Sequence, residues 1–262
     1  MSVKDAIRSP WHMAIFGAVI ALISLGFAYF VFPESAGLLT VFLITIISAP
    51  FMWNLFKYEE WCEEKDFVCK MDFTMKYSPM QVFGRSSKIF LIYTAFFAGI
   101  VAALSVSYML LPDNVAEKAF NDQKEQINKV NKLVGGFTLD STFAQILKNN
   151  LVVLTISFIA ALLLGGFGAV FILAWNASVL SAAIGIVGKM SGVSDALVRF
   201  MPHGVFEIAA YFIAVIAGGV ISVALTKRHV EHFGPVMRDM VLLLVLGAIL
   251  VLIGTVIETS NF

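Results

Sequence analysis

Six apolar stretches, each long enough to cross a lipid bilayer as a helix, constrain this 262-residue chain more than any other feature. A helix needs about 20 apolar residues to cross the hydrocarbon core of a membrane. The stretches that meet this requirement cover residues 12–32, 38–56, 88–111, 150–174, 204–226 and 237–257. Because no ten-residue alternation typical of a membrane barrel accompanies them, the sequence predicts an all-α, polytopic transmembrane helix bundle.

The composition indicates that lipid is the main solvent of this chain. Hydrophobic residues make up 59% and charged residues 14% of it, whereas a soluble domain has roughly 45–50% and 25%. The 18 basic and 18 acidic residues cancel, so no excess of positive charge is available to bind nucleic acid. The lipid bilayer is therefore the first partner that we expect.

Basic residues orient the N-terminal transmembrane hairpin, residues 1–56. The turn between its two spans, residues 33–37, contains no lysine or arginine. The other ends of these spans are flanked by eight basic residues: Lys4, Arg8, Lys57, Lys65, Lys70, Lys76, Arg85 and Lys88. Lysine and arginine accumulate in cytoplasmic loops, so we expect a multi-pass protein of the cell membrane with a cytoplasmic N-terminus.

Two polar segments interrupt the spans. Residues 57–87 mix charged, aromatic and methionine side chains, which favours a cytoplasmic loop with an amphipathic helix on the membrane surface; a partner-docking loop is the alternative. Residues 113–134 predict an external polar helix that Asp113 can cap. Its thin apolar stripe can rest on the membrane, on a second copy or on an external partner, and consists of Phe120, Ile127 and Val134.

Residues 176–202 break the pattern of full-length spans. The apolar piece 177–188 covers about 18 Å as a helix, little more than half of the hydrocarbon core. The candidate helix breaks around it are Gly185, Gly192, Pro202 and Gly204. Irregular backbone at membrane depth needs protein or a wet cavity around it, so we predict a re-entrant helical hairpin inside the bundle.

Two alternatives to the hairpin follow from the same residues. One is an ordinary cytoplasmic loop that contains one apolar helix. The other is a full crossing by residues 177–200, which would reverse the direction of the last two spans. The basic residues after the fifth apolar stretch favour that reversal; they are Lys227, Arg228 and Arg238.

His203 and Glu207 stand at the start of the fifth apolar stretch, where lipid penalises both. They are four residues apart and therefore share one helix face. Ionisable groups within a membrane face the protein interior and pair with other groups, so we predict that Glu207 points inward. Its expected partners are His203, Asn176 or backbone near Pro202, with Asn150 close by at the start of the preceding span. This polar cluster is either a structural clamp or an ion site.

Catalytic and metal-binding patterns are missing from the sequence around this cluster. Zinc takes at least three protein ligands, and His229 would lie about 39 Å along the helix from His203. The sequence contains no HExxH, GxSxG or P-loop element. We therefore predict that the protein is not an enzyme and has neither a metal site nor a cofactor.

Small residues recur four apart on three consecutive spans, which allows close approach of helix backbones in lipid. They are Ala95, Gly99 and Ala103 on the third span, Ala161, Gly165 and Ala169 on the fourth, and Ala210, Ala214 and Gly218 on the fifth. The pattern predicts a compact core from these three spans. Small-residue faces left over from that packing predict a homodimer.

Several of these residues together resemble the stage II sporulation protein M family. They are Asn149-Asn150 opening a span, Gly165 and Gly168 within it, Asn176 and Gly185 beyond it, and Pro202-His203-Gly204 followed by Glu207. The resemblance covers roughly residues 88–258, and the hairpin 1–56 is additional. The namesake of the family sits in a membrane complex with cell-wall hydrolases, so the resemblance implies a non-enzymatic scaffold that holds or localises partner proteins.

From this resemblance we expect envelope proteins as partners, bound through residues 112–149. The alternative function is an ion or small-solute transporter or channel. In that case the buried Glu207 and His203 would form the binding site for the transported species.

Overall fold

The computed structural model describes residues 9–69, 79–134, 139–227 and 233–260, which are almost entirely helical and form no strand. Six of the helices are long and apolar enough to cross a membrane, which confirms the all-α, multi-pass prediction. The helices are α1 (Trp11–Val31), α2 (Ala36–Cys69), α3 (Pro79–Leu110), α4 (Asp113–Ala119), α5 (Asn121–Val134), α6 (Leu139–Ser191), α7 (Val193–Lys227) and α8 (Phe233–Ser260).

The long helix α6 reverses its direction at Gly165. The backbone angles of Gly165, φ 55° and ψ −133°, are non-helical and match the first central residue of a type II′ turn, which favours glycine. Gly168 then packs directly against the carbonyl group of Ala160, although eight residues of straight helix would separate them by about 12 Å. The helix therefore consists of two antiparallel limbs, residues 139–164 and 166–191.

Side-chain contacts show how the two limbs of α6 run through the bundle. The second limb is parallel to α3, because the Ser181 hydroxyl donates to the Val101 carbonyl (3.3 Å) and the Lys189 ammonium to the Leu111 carbonyl (2.7 Å). The first limb is parallel to α7, because Asn150 bonds to Glu207 while Gly218 packs on Phe158. Each limb has a length of about 39 Å and is long enough to cross the hydrocarbon core.

All long helices run between two ends of the bundle. Helices α4 and α5, which we call the cap (residues 113–134), cover one end, together with the α1–α2 turn and the α6–α7 junction. The opposite end, which we call the basic end, contains the Gly165 reversal and the basic residues Lys57, Lys88 and Arg238. Within the described ranges the chain passes along the bundle seven times.

The re-entrant hairpin predicted for residues 176–202 is not confirmed. Residues 166–191 form one continuous limb, and the chain reverses before it at Gly165 and after it at Gly192, whose φ is 99°. Gly192 is thus a helix break, as predicted, whereas Gly185, Pro202 and Gly204 lie inside helices. Gly185 serves packing instead, because a Cβ there would lie 2.6 Å from the Tyr108 side chain.

Helix α7 forms the centre of the bundle. In α7, 78% of the most apolar 18-residue segment is buried, whereas in α1 and in α8 the corresponding share is 33%. The other helices therefore surround α7. Small residues permit the close packing, with Gly218 of α7 lying against Phe158 and Ala161 of α6, and Gly99 of α3 lying against the backbone of Ala14 of α1. These faces are used within one chain, and the homodimer remains a prediction.

The predicted external helix is broken at Phe120 into α4 and α5. Pro112, rather than Asp113, holds the N-cap position of α4, and Asp113 pairs with Lys189 at 2.7 Å. Phe120 is 2% exposed, and Ile127 packs on the core of the same chain. The stripe therefore rests on the bundle itself, although the side chain of Val134 lies outside the described part of the structure. The side chains of residues 59–86, which make up most of the predicted cytoplasmic loop 57–87, also lie outside it.

Candidate functional site

A cavity of about 810 Å³ lies in the cap-side half of the bundle. Both limbs of α6, the first half of α7 and the end of α8 surround it, and Gln126 of the cap lies over it. Most of the wall is apolar, with aromatic rings from Phe171 and Trp175. The polar and charged wall residues are Gln126, Gln145, Lys148, Asn149, Asn150, Asn176, His203, Glu207, Tyr211 and Glu258.

A chain of hydrogen bonds crosses from α6 to α7 at this wall. The Asn150 side-chain amide donates to Oε1 of Glu207 at 2.6 Å. The hydroxyl of Tyr211 donates to Oδ1 of Asn150 at 3.1 Å, and the amide of Asn149 approaches the same oxygen at 3.4 Å. Asn150 is only 5% exposed, so these bonds satisfy polar groups that lie away from water.

Glu258 brings a second carboxyl group from α8 to the same cavity wall as Glu207. Gly254, one turn before Glu258, makes the approach of α8 close. A Cβ at Gly254 would lie 2.9 Å from Cγ of Glu207 and 3.4 Å from the carbonyl oxygen of His203.

His203 and Asn176 line the same cavity but are not bonded to Glu207. The Asn176 amide donates to the Ile172 carbonyl of its own helix at 2.8 Å. Nδ1 of His203 is buried and has no hydrogen-bond partner in the described part of the chain. Of the four predicted cluster residues, the structure thus joins Asn150 with Glu207 and leaves the other two at the cavity wall.

Sequence reasoning missed Tyr211 and Glu258. Tyr211 follows Glu207 by four residues, so the helical spacing was a signal for a shared face. Glu258 stands just past the last apolar stretch, which ends at residue 257, and nothing in its own neighbourhood indicates that it faces α7. Its contact with Glu207 joins residues 51 positions apart.

The carboxyl groups of this site have no cationic partner within the described residues. No described lysine, arginine or histidine forms an ion pair with Glu207 or Glu258, and no group of three potential metal ligands occurs there. Lys148 lies at the cavity wall with an exposed side chain. Chemically, the site offers two carboxyl groups, an amide and a phenol that can bind a proton or a cationic group.

The comparison with known families fits this architecture. A family model for stage II sporulation protein M matches residues 87–260. The chain belongs to the stage II sporulation protein M family. All residues of the carboxyl site lie inside the part that matches the stage II sporulation protein M model, whereas α1, α2 and the start of α3 precede it. A search of curated proteins and a search of solved structures gave no match.

Proposed function

We propose that this protein is a non-enzymatic scaffold of the cell membrane that holds envelope proteins through its cap. Membership of the stage II sporulation protein M family is one support. The observation that carries the proposal is that the inner face of the cap is bound to the bundle, while its outer face is polar and uncovered.

Buried contacts fix the cap in place. The Phe120 ring packs on the Tyr108 ring with 5.1 Å between the ring centres. The Gln123 amide donates to the Ser178 hydroxyl at 3.1 Å, and Gln123 is 1% exposed. The Asp122 carboxylate accepts the backbone N–H of Leu38 at 2.8 Å. These contacts tie α5 to both α2 and α6.

Exposed ion pairs add to the edges of the cap. Lys189 at the end of α6 binds Asp113 at 2.7 Å, and Lys118 binds Glu34 of the α1–α2 turn at 3.1 Å. Solvent-exposed pairs contribute little to stability, but these two link the cap to the neighbouring turns. Because α4 and the first half of α5 are anchored, this part of the cap has little conformational freedom to lose when a partner binds.

The outer face of the cap has the composition of a protein-docking surface. It carries both charge signs, which gives a partner a pattern to match and excludes like-charged surfaces. Lys129 and Glu125 form one i,i+4 pair at 2.8 Å. The exposed residues of this face are Asn114, Glu117, Lys118, Asn121, Glu125, Asn128 and Lys129.

The charge distribution supports an external cap. In the sequence, the segments that border the basic end (before residue 12, 57–88 and 227–238) carry eleven of the 18 lysines and arginines, and those that border the cap side carry seven. The positive-inside rule assigns the richer end to the cytoplasm. The start of α1 belongs to the same end, and the cap lies at the opposite one. Envelope proteins outside the membrane would then meet the cap.

Site-specific photo-crosslinking in intact cells tests this function. A photoreactive amino acid at Glu125 is expected to give a cross-linked product with one defined protein. The matched control is Leu163 on α6, which is 72% exposed on the apolar surface and is expected to cross-link to lipid. If positions 125 and 163 give the same products, or position 125 gives none, the cap is not a docking surface.

A second function, a conduit for ions or small solutes, is favoured by one observation: paired carboxyl groups inside a cavity, held by helices that reverse at glycines. Glu207→Gln keeps the shape of the side chain and its bond from Asn150. Reconstituted wild type that moves protons or cations, together with a folded Glu207→Gln variant that does not, would establish the conduit. Equal flux from the two proteins would exclude Glu207 from transport.

A further inference from the structure

We infer that the cavity binds an aminophospholipid of the surrounding bilayer, with its ammonium group at Glu207 and Glu258, its phosphate at Lys148 and one acyl chain along α6. This inference concerns a ligand and goes beyond the scaffold function, because it requires no partner protein. Three independent features of the structure carry it: the shape of the cavity, its lateral opening and its charges.

The first feature is the size and character of the cavity. Binding sites for small molecules have volumes of about 300–1,000 Å³ and mostly apolar walls with few polar groups. This cavity, of about 810 Å³, combines an apolar wall with one polar side formed around Asn150, Glu207, Tyr211 and Glu258. Such a wall suits an amphiphile, because an apolar ligand would leave the carboxyl groups without a partner and a polar ligand would leave the apolar wall uncovered.

The second feature is an opening towards the lipid. Lys148, Val152 and Ile156 follow one another at four-residue spacing on the first limb of α6, so they form one stripe. Val152 and Ile156 are 46% and 50% exposed on the outer surface of the bundle. The same stripe also borders a shallow groove of about 500 Å³, whose other wall residues include Phe143, Leu147 and Leu151.

The shared stripe places the cavity and the groove side by side. The groove is lined almost entirely by apolar side chains and lies on the face of α6 that the hydrocarbon core would cover. An acyl chain in the groove can therefore keep its apolar surroundings while the head group of the same molecule enters the cavity. A water-soluble ligand would leave this apolar groove unoccupied.

The third feature is charge complementarity. Glu207 and Glu258 have no ion-pair partner in the described ranges, and a primary ammonium group supplies both charge and hydrogen-bond donors to paired carboxyl groups. Lys148, at the rim, forms no ion pair with any described residue, and a lysine ammonium is a common phosphate ligand. The combination of an anionic interior and a cationic rim matches a zwitterionic head group with an ammonium beyond its phosphate.

Native mass spectrometry of the purified full-length protein tests the inference. We expect phosphatidylethanolamine to bind about tenfold or more tightly than phosphatidylglycerol and than N-acetylated phosphatidylethanolamine, since the latter two lack the ammonium group. Glu258→Gln and Lys148→Gln are each expected to reduce this preference. Lys129→Gln, the substitution of another exposed lysine on the cap, is expected to leave it unchanged.

The outcomes that would overturn the inference are distinct. Equal binding of the three lipids would exclude ammonium recognition. Thermal stabilisation by free ethanolamine or sodium ions as large as that by the lipid would mean a soluble-cation site instead. Because Lys148 is exposed, Lys148→Gln is expected to fold even if the carboxyl variants do not, and wild-type lipid preference in that variant would refute the head-group placement. None of these results bears on cross-linking at the cap.

Discussion

Replacing Gly165 with alanine tests the reversal inside α6, on which the arrangement of the whole bundle depends. An L-residue held in a sparsely populated backbone region costs about 1–3 kcal/mol, and Gly165 has φ 55° and ψ −133°. In addition, a Cβ at Gly165 would lie 2.7 Å from Cε3 of Trp53. Over-packing of this kind costs about 1–3 kcal/mol, so we expect a total loss of about 2–6 kcal/mol.

The assay is unfolding in mixed micelles, followed by circular dichroism, of Gly165→Ala beside Gly26→Ala. A Cβ at Gly26 meets nothing within 4 Å, so alanine there is expected to stabilise α1 by about 0.5–1 kcal/mol. A Trp53→Ala background removes the steric contact and leaves the backbone strain. In that background, the cost of Gly165→Ala is expected to fall to about 1–3 kcal/mol.

Two results would refute this reasoning. If Gly165→Ala is no less stable than Gly26→Ala, the backbone at residue 165 is helical and α6 does not reverse there. If the cost of Gly165→Ala is the same with and without the Trp53 indole, the ring does not pack against this glycine.

Two further predictions concern α8 and the cap. Gly254→Ala is expected to lower the free energy of unfolding by about 1–3 kcal/mol, because its Cβ would press on the Glu207 side chain, whereas Gly234→Ala on the same helix meets nothing within 4 Å and is the control. The ammonium group of Lys189 holds the pKa of Asp113 below its ordinary value. The stabilisation from this pair is therefore present at pH values above the ordinary pKa of aspartate, and it is lost as the pH falls through the lowered pKa. Relative to the intrinsic exchange rate at each pH, the protection of the cap amides from hydrogen exchange should decrease in that acidic window, and Asp113→Asn should abolish this decrease. An unchanged pH profile in Asp113→Asn would contradict the role of the pair.

The sequence predicts the helices well because crossing a bilayer requires long apolar segments, and these are visible without knowledge of any contact. It also predicts that Glu207 faces protein, because the free-energy cost of a carboxylate in lipid is independent of the fold. Both predictions use single-residue properties, which explains why they agree with the helices and with the position of Glu207 at an internal cavity.

The Gly165 reversal was missed because it depends on a backbone angle. Residues 150–174 form one uninterrupted apolar stretch, and a glycine within it is equally compatible with a straight helix. The four-residue pattern that contains Gly165 indicated helix packing, while the structure uses this glycine for a turn. The short piece 177–188 looked too small to cross only because its true beginning, just after Gly165, was assigned to the previous span.

Partners on different helices were predicted only in part. Helical spacing identifies neighbours on one helix, such as Tyr211 beside Glu207, but gives no register between helices. Asn150 was expected near Glu207 and is bonded to it, whereas Asn176 bonds to its own helix and Glu258 was not considered. Likewise, the stripe of the cap was visible at Phe120, but only the structure shows that it packs on Tyr108 of the same chain.

The central proposal is that the cap lies outside the cell, on the same side as the C-terminal end of α8 and opposite the basic end. Single cysteines at Asn128, Ser260 and Gly234, in a background with Cys62→Ser and Cys69→Ser, test it with a membrane-impermeant maleimide. The account predicts that positions 128 and 260 react in intact cells and that position 234 reacts only after the cells are opened. Labelling of 128 and 260 from opposite sides, or of 234 in intact cells, would contradict it.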